Sequence, residues 1–309
     1  MREKMGLLEL LGAAAAATLA NPRRPASADG RPGGLVELPS REKIIIVGDI
    51  HASVESFEAI LLRSGALADI EAGSATLVFL GDIVQDDRPG RLGDMEGSLE
   101  ILMPLCRLLA SHPDRVVWLR GNHDSFDPDL TKGGVCQGRL FRAAVEERGG
   151  AALREAIQDL FDALPLVAAG GSLILVHAGP PRGGMRRDAI VGIRRDSDLA
   201  NEMVWNRIGA APAEPGYYCI DDLRASFAGL GLGEAGTFIV GHNPLWTRGD
   251  GSGLWSDVGI AGHHILYSGG LGEAPWLCFE DGILVSRLAR PWRSGPRESQ
   301  ARFRPRRGD

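Results

Sequence analysis

Residues that can bind metal ions stand at five points of the sequence, each at the end of a short apolar run. The five motifs are Gly48-Asp49-Ile50-His51, Gly81-Asp82, Gly121-Asn122-His123-Asp124, Val176-His177-Ala178-Gly179 and Gly241-His242-Asn243. Carboxylate oxygen and neutral imidazole nitrogen suit Zn, Fe and Mn. Two such ions that share one carboxylate can activate hydroxide and neutralise a phosphoryl group. These residue types therefore indicate metal-assisted hydrolysis of a phosphate ester.

The positions of the motifs predict which side chains bind the ions. In α/β sheets, ligands bind at the edge formed by the carboxyl ends of the strands. We therefore predict that one rim carries six metal ligands, namely Asp49, His51, Asp82, Asn122, His177 and His242. Asp82 is the natural bridging carboxylate, because it stands between the two sets of ligands in chain order.

The whole set of motifs carries this prediction, because each motif alone is weak. A Gly-Asp pair is a common way to end a strand, and a lone His at such a place is more often hydrogen-bonded than metal-bound. However, four of the seven histidines fall in these motifs. Placing an Asn-His-Asp cluster beside a core strand also costs folding free energy, which favours a functional reason for the cluster. The other three histidines, His112, His263 and His264, are expected to be structural.

Between the motifs, strand patterns alternate with helix patterns. The apolar runs predict buried strands at Lys43–Val47, Ala75–Leu80, Arg115–Leu119, Ser172–Val176 and Thr237–Val240. Helical spacing predicts helices at Ser53–Arg63, Ser98–Ala110, Asp222–Ala228 and around 141–164, the last broken at Gly149-Gly150. Three final strands read as a β-meander, at His264–Ser268, Trp276–Glu280 and Ile283–Leu288. This pattern favours an α/β sandwich of two sheets flanked by helices.

Composition and charge limit the function classes. The chain has 44% hydrophobic and 24% charged residues and a formal net charge of -6, an ordinary globular balance. The acidic balance argues against a dedicated nucleic-acid partner, which would usually need a basic face. The four cysteines lack CxxC spacing, so we expect reduced thiols.

The two ends of the chain differ from its centre. Residues 1–40 are expected to be an N-terminal extension and linker, residues 41–290 one catalytic domain, and residues 291–309 a basic, disordered tail. The apolar run Gly6–Ala20 is too short to span a membrane comfortably. We expect a cytoplasmic protein; the alternative is export, if residues 1–28 are a signal peptide.

The ordered motif set GDIH, GDIV, GNHD, VHAG and GH resembles the calcineurin-like metallophosphoesterases, specifically their phosphoprotein-phosphatase-like branch. That branch includes protein Ser/Thr phosphatases, Shewanella-like bacterial phosphatases and diadenosine-tetraphosphatases. The resemblance spans residues 44–268 and implies a four-layer α/β/β/α sandwich. It also implies two divalent ions (Mn, Fe or Zn).

The resemblance implies a role for each matching residue. Asp49 and His51 would bind the first ion, and Asp82 would bridge. Asn122, His177 and His242 would bind the second ion, and Asn122 would also touch the phosphate. His123 would be the general acid that protonates the leaving oxygen.

The second motif departs from the family pattern GDxVDRG. Gln85 stands where the family has the Asp that orients the catalytic His. A two-residue realignment would put Asp87 and Arg88 in the places of the family's Asp-Arg pair, to hold His123 protonated and to bind phosphate oxygens. Trp205-Asn206-Arg207 resembles a Trp-x-Arg element of the Shewanella-like group, which makes Arg207 a second candidate for phosphate binding.

The leading hypothesis is hydrolysis of phosphomonoesters, on phosphoprotein Ser/Thr or a small phosphorylated substrate, by in-line attack of metal-bound hydroxide. One alternative is a dinucleoside polyphosphate (diadenosine tetraphosphate) hydrolase, in which Trp205, Trp246 or Trp255 would contact a base. Another alternative is a non-catalytic, metal-binding regulatory module. The sequence leaves the oligomeric state open.

Overall fold

The computed structural model describes residues 6–209, 215–233, 236–243, 252–270 and 272–290. Trp246 and the predicted basic tail, residues 291–309, lie outside the described residues. Among the described residues, no helix is both long and apolar enough to cross a membrane.

The first sheet has five strands in the order β15-β14-β2-β3-β4. Their bounds are β2 Lys43–Val47, β3 Ala75–Phe79, β4 Val116–Trp118, β14 Ala274–Glu280 and β15 Ile283–Ala289. Strands β2, β3 and β4 are parallel, so their carboxyl ends share one edge. Their apolar side chains are buried on both faces, which is typical of parallel strands covered on both sides.

The second sheet has six strands in the order β1-β7-β8-β11-β13-β12. Their bounds are β1 Leu35–Glu37, β7 Val167–Gly170, β8 Leu173–Val176, β11 Thr237–Val240, β12 Leu254–Trp255 and β13 His263–Leu266. Strand β13 pairs in parallel with β11, whereas β14 belongs to the first sheet. The predicted meander is therefore wrong, because its first strand lies in a different sheet from the other two.

Helices cover the outer face of each sheet. Their bounds are α1 Leu7–Leu19, α2 Val54–Arg63, α3 Ala66–Glu71, α4 Glu96–Ser111, α5 Gln137–Ala163, α6 Arg187–Val191, α7 Ser197–Trp205 and α8 Ile220–Gly229, with a short 3-10 turn at Ile193–Arg195. The predicted break in α5 is present, since Gly150 has a φ of 71°. Two small two-stranded ribbons complete the structure, β5 Thr131–Lys132 with β6 Val135–Cys136, and β9 Arg207–Ile208 with β10 Tyr217–Tyr218.

Three apolar clusters show how these layers stack. The first joins α1, α2, α4 and α5 to the outer face of the first sheet, through residues such as Ile45 and Phe79. The second fills the space between the sheets with residues such as Ile46 and Leu175. The third joins α6, α7 and α8 to the outer face of the second sheet. The predicted four-layer α/β/β/α sandwich is confirmed.

The N-terminal segment, expected to be an extension and linker, packs against the rest of the fold. Helix α1 packs against α4 and α5 and buries Leu10, Leu11, Ala14 and Ala15. Strand β1 pairs with β7 at the edge of the second sheet. The sequence offers little indication of this packing, because the segment is rich in Ala, Gly and Pro, which are also common in linkers.

Arg24 fixes this segment to the rest of the fold. Its buried guanidinium donates hydrogen bonds to the carbonyl oxygens of Thr18 (2.9 Å) and Ala163 (2.7 Å), near the C-terminal ends of α1 and α5. It also donates to the carbonyl of Gly33. Burial, together with the charge of Arg194, lowers the pKa of Arg24 to about 9. A cation suits this position because helix C-termini carry partial negative charge.

Candidate metal centre

Polar side chains from both sheets meet at the carboxyl ends of the parallel strands. Asp49 follows β2, Asp82 follows β3, and His177 and His242 follow β8 and β11 of the second sheet. The sheets are joined beside this point, since the Ser268 amide donates to the Asp49 carbonyl at 2.9 Å. The predicted ligands therefore lie where the two sheets converge.

The backbone around the site is bent in ways that residues other than glycine rarely adopt. His51, Asp82, Gln85 and His242 all have positive φ, between 45° and 66°. Such strained conformations cost roughly 1–3 kcal/mol each and persist where surrounding structure requires them, often at functional sites. Their concentration here is consistent with a site built for chemistry.

Two glycines leave room for the carboxylates. A Cβ at Gly121 would lie 2.2 Å from Oδ1 of Asp82, and one at Gly241 would lie 1.9 Å from Oδ1 of Asp49. Both distances are far shorter than any allowed contact. The glycines before Asn122 and His242 are therefore needed for the close approach of the Asp side chains.

Two groups of potential ligands share Asp82. In the first group, ligand atoms of His51, Asp82 and His123 lie within 4.8 Å of one another, and in the second the same holds for Asp82, His177 and His242. Oδ2 of Asp82 is 3.5 Å from Nε2 of His51 and 3.4 Å from Nε2 of His177. A carboxylate between two imidazoles is the arrangement expected of a bridging ligand.

Asn122 completes the second group. Its Oδ1 lies 3.0 Å from Nε2 of His177 and 2.8 Å from Nδ1 of His242. The other nitrogen of His177, Nδ1, faces the carbonyl of Leu80 at 3.0 Å, so it carries the proton. The lone pair of Nε2 then points at the lone pairs of an amide oxygen, a repulsive contact that a cation would relieve.

Asp49 provides a second sign that a cation fits. Its Oδ2 accepts a hydrogen bond from the His242 amide at 2.8 Å, but its buried Oδ1 has no hydrogen-bond partner. Burial and the nearby charge of Asp82 raise the pKa of Asp49 well above its usual range. Burial also raises the pKa of Asp82. Two close, buried carboxylates are stabilised when they coordinate metal ions.

The imidazoles of the candidate ligands favour the neutral form, which is the form that binds metal ions. Burial lowers the pKa of His177 to about 4 and lowers that of His242 well below its usual value. Nδ1 of His51 faces the Gln85 carbonyl at 2.9 Å. Backbone carbonyls thus fix the Nδ1 protons of His51 and His177 and turn Nε2 toward Asp82. In metal sites, a hydrogen bond at the second ring nitrogen orients a His ligand in the same way.

Gln85, not Asp87, faces the ring of His123. Oε1 of Gln85 lies 2.9 Å from Nδ1 of His123, and Nε2 of Gln85 donates to the Ser125 carbonyl at 3.0 Å. The expected realignment therefore differs from the structure. Gln85 itself occupies the position of the orienting carboxylate, because its longer side chain reaches the ring from a backbone with φ 66°. Burial and nearby positive charges lower the pKa of His123.

Asp87 lies on the other side of His51. It forms an ion pair with Lys132 at 3.0 Å, accepts a hydrogen bond from the Tyr267 hydroxyl, and is 3.7 Å from Nε2 of His51. Burial would raise the pKa of Asp87, but the charges of His51 and Lys132 hold it below its usual value.

Arg88 is also placed differently from the expected phosphate fork. Its Nε donates to Oδ1 of the buried Asp86 at 2.8 Å, and Nη1 lies 3.6 Å from Glu55. Asp86 also pairs with Arg91 at 3.2 Å. Arg88 is therefore engaged in holding the loop after Asp82 rather than free to bind an anion.

Arg207 lies beside the second group of ligands. Its Nε is 3.3 Å from Nε2 of His242. The ring of Trp205 packs edge-on against His242, with centroids 5.7 Å apart, while 39% of the residue stays exposed. Arg207 therefore lies next to one of the candidate metal ligands, and its phosphate contact stays a prediction.

Asp124 forms hydrogen bonds to the two loops that carry Asp82 and Asn122. Its buried carboxylate accepts hydrogen bonds from the amides of Asp82, Ile83 and Gly121, and from the indole of Trp118. Burial raises the pKa of Asp124 to about 6. These donors align the loops that carry the bridging carboxylate and Asn122.

Sequence reasoning missed two side chains at the site, Lys132 and Tyr267. Both come from segments without a recognisable motif. Lys132 belongs to the β5–β6 ribbon, and Tyr267 directly follows β13.

The sequence profile of the calcineurin-like phosphoesterase family matches residues 42–258. The chain belongs to this family. The matched region contains every metal ligand and phosphate contact predicted above. The prediction of a metal-dependent phosphoric ester hydrolase, made from the five motifs, is confirmed.

Solved structures resemble this phosphoesterase over most of its length. A Ser/Thr phosphatase from Saccharomyces cerevisiae, described as similar to human phosphatase PP5, superposes with a TM-score of 0.65 and 15% identity, covering 94% of this chain and 90% of that one. A cold-active protein-tyrosine phosphatase from a psychrophilic Shewanella species gives 0.47 and 15%, covering 81% and 80%. The first likeness shows that this phosphoesterase shares its fold with a known phosphatase.

Proposed function

We propose that this phosphoesterase hydrolyses phosphomonoesters, of phosphoprotein Ser/Thr or of a small phosphorylated compound, with two divalent ions of Mn, Fe or Zn. One observation carries the proposal: two groups of potential ligands share the buried carboxylate of Asp82. A shared carboxylate between two sets of N and O donors is the geometry that two-metal hydrolysis needs.

In this proposal Asp49, His51 and Asp82 would hold one ion, and Asn122, His177 and His242 would hold the other together with Asp82. His123, whose ring also lies in the first group of ligand atoms, would instead serve the proton transfer. Bound ions supply a water nucleophile at neutral pH and neutralise charge on the phosphoryl group. The displacement is in-line, without a covalent enzyme intermediate.

The protein's own groups handle the proton and the anion. Oε1 of Gln85 accepts a hydrogen bond from Nδ1 of His123, so Nε2 of His123 is the nitrogen left for the substrate. Nε2 would protonate the leaving oxygen from the doubly protonated ring, a form that the negative charge of a bound phosphate favours and that burial of the ring opposes by lowering its pKa. Arg207, beside His242, binds a phosphoryl oxygen, and so does the amide of Asn122.

The test is hydrolysis of p-nitrophenyl phosphate together with metal analysis of the purified protein. We expect Mn²⁺-dependent turnover and two ions per chain in the wild type. Asp82→Asn should reduce both, whereas Asp69→Asn, at a carboxylate paired with Lys43 outside the site, should change neither. Two bound ions without turnover on any monoester would instead support the non-catalytic module.

A dinucleoside polyphosphate is the second candidate substrate. The observation in its favour is the half-exposed ring of Trp205 beside His242, since an aromatic face can stack on a base. The wild type should then hydrolyse diadenosine tetraphosphate faster than p-nitrophenyl phosphate, and Trp205→Ala should reduce this preference.

A cytoplasmic location belongs to the same proposal. Cleavage near residue 28 would remove α1 and Arg24, which contribute buried contacts to the fold. The intact mass of the protein from its native host should therefore include residues 6–28. A mature chain that starts near Asp29 would contradict this.

A further inference from the structure

A lysine ammonium lies at the edge of the candidate metal centre. Lys132 is in β5, one residue before the Gly133-Gly134 turn of the β5–β6 ribbon. Its Nζ is 3.0 Å from Oδ2 of Asp87, and the same oxygen is 3.7 Å from Nε2 of His51. One carboxylate therefore connects the ammonium to an imidazole of the metal centre.

The ammonium lies close to the shared carboxylate. Nε2 of His51, which is 3.7 Å from Asp87, is also 3.5 Å from Oδ2 of Asp82. Two side chains, Asp87 and His51, therefore separate the Lys132 ammonium from the carboxylate of Asp82, so its positive charge lies on the side of the centre where a phosphate at the first group of ligands would bind.

The two arginines predicted to bind phosphate do not contact the ligands near Lys132. Arg88 is bound to Asp86 within its own loop. Arg207 lies beside His242, in the second group of ligands. Lys132 is thus a cation on the side of the first group, close to His51.

The residue type is also informative. Of the 34 basic residues, three are lysines, at positions 4, 43 and 132. A Lys ammonium is compact, has three donors and sits on a flexible stem, whereas Arg offers a rigid fork. The side chain is 35% exposed, so its ammonium can keep Asp87 and still accept a second anionic partner.

We propose that the Lys132 ammonium binds a non-bridging phosphoryl oxygen of the substrate while it stays hydrogen-bonded to residue Asp87. The inference rests on the proposed phosphomonoesterase function, and it adds a substrate contact on the His51 side of the centre. A simpler role would be to neutralise Asp87, without any contact to substrate.

The test measures the binding of inorganic phosphate to the Mn²⁺-loaded protein by calorimetry, with kcat and KM on p-nitrophenyl phosphate alongside. The variants are Lys132→Met, Asp87→Asn and the double variant. Lys43→Met is the matched control, since Lys43 also pairs with a carboxylate, Asp69, at 2.7 Å. Thermal melts and metal content of each variant verify that the site is intact.

We expect Lys132→Met to weaken phosphate binding roughly tenfold to hundredfold, the range for loss of one hydrogen bond to a charged group. The loss should be similar in the Asp87→Asn background, because the amide oxygen introduced there can still accept a hydrogen bond from Lys132 while the negative charge is gone. Lys43→Met should bind phosphate as the wild type does. kcat/KM should fall by a comparable factor.

Two results would overturn the proposal. The first is a loss that disappears in the Asp87→Asn background, because Lys132 then serves only to neutralise Asp87. The second is unchanged phosphate binding in Lys132→Met, or no phosphate binding by the loaded wild type. If the wild type binds phosphate but hydrolyses no monoester, the proposed function fails while the binding comparison still decides the role of Lys132.

Discussion

Replacing Gln85 with Glu changes one charge beside the proposed general acid. Glu has nearly the same shape as Gln, so its carboxylate would face Nδ1 of His123 at about the present 2.9 Å. Unit charges about 4 Å apart interact by about 4 kcal/mol at an effective dielectric constant near 20. This equals roughly three pKa units at about 1.4 kcal/mol each.

The substitution also has a cost. Gln85 Nε2 donates to the Ser125 carbonyl at 3.0 Å, and a carboxylate oxygen there would repel that carbonyl by about 1–3 kcal/mol. Because this repulsion is present whether or not His123 is protonated, it lowers the stability of the variant and leaves the pKa shift unchanged. We therefore expect a rise of up to roughly three units in the pKa of His123.

The assay is the pH dependence of kcat/KM on p-nitrophenyl phosphate. A general acid must be protonated, so activity falls as pH rises through its pKa. Gln85→Glu should move this fall to higher pH. Gln137→Glu is the matched control: Gln137 is a buried Gln whose amide contacts the Asp86 and Leu92 carbonyls instead. Overlapping profiles for Gln85→Glu and wild type would refute the role of Gln85, and a shift in Gln137→Glu would show a general effect of buried charge.

Three further predictions test the fold and the site. Deleting residues 1–28 should lower the Tm sharply, since two leucines buried in α1 alone contribute about 1.5–3 kcal/mol each; an unchanged melt would mean that α1 does not pack. Arg207→Met should raise KM for p-nitrophenyl phosphate about tenfold with unchanged metal content, while the exposed Arg224→Met serves as control; equal KM values would exclude an anion contact. Mn²⁺ at a hundredfold its Kd should stabilise the wild type by about 2.7 kcal/mol, seen as a higher Tm, but should stabilise Asp82→Asn much less; equal shifts in both would refute the bridging role.

The meeting of the candidate ligands at one rim could be predicted from the sequence, because these residues directly follow strands. Asp49 and His177 follow apolar runs that can only be buried strands, so their place at one rim follows from the topology. Spacing alone could not predict the loop after Asp82. Whether Gln85 or Asp87 reaches His123 depends on a positive φ at Gln85, which neither composition nor periodicity indicates.

The roles of Lys132 and α1 could not be predicted from the sequence for a different reason. Both roles depend on contacts between segments that are distant in the sequence. Lys132 meets Asp87 across 45 positions, and its ribbon of two-residue strands has no periodic pattern. The packing of α1 depends on α4 and α5. Its Ala-rich sequence is equally compatible with a free helix, and the buried role of Arg24 contradicts the usual exposure of Arg.

The packing of α1 makes the order of synthesis matter. Roughly 140 residues separate the end of α1 from the end of α5, which the ribosome needs about 7–30 s to add at about 5–20 residues per second. During that time the apolar face of α1 has no partner from α5. The N-terminal segment therefore reaches its packed position only after α5 has been synthesised.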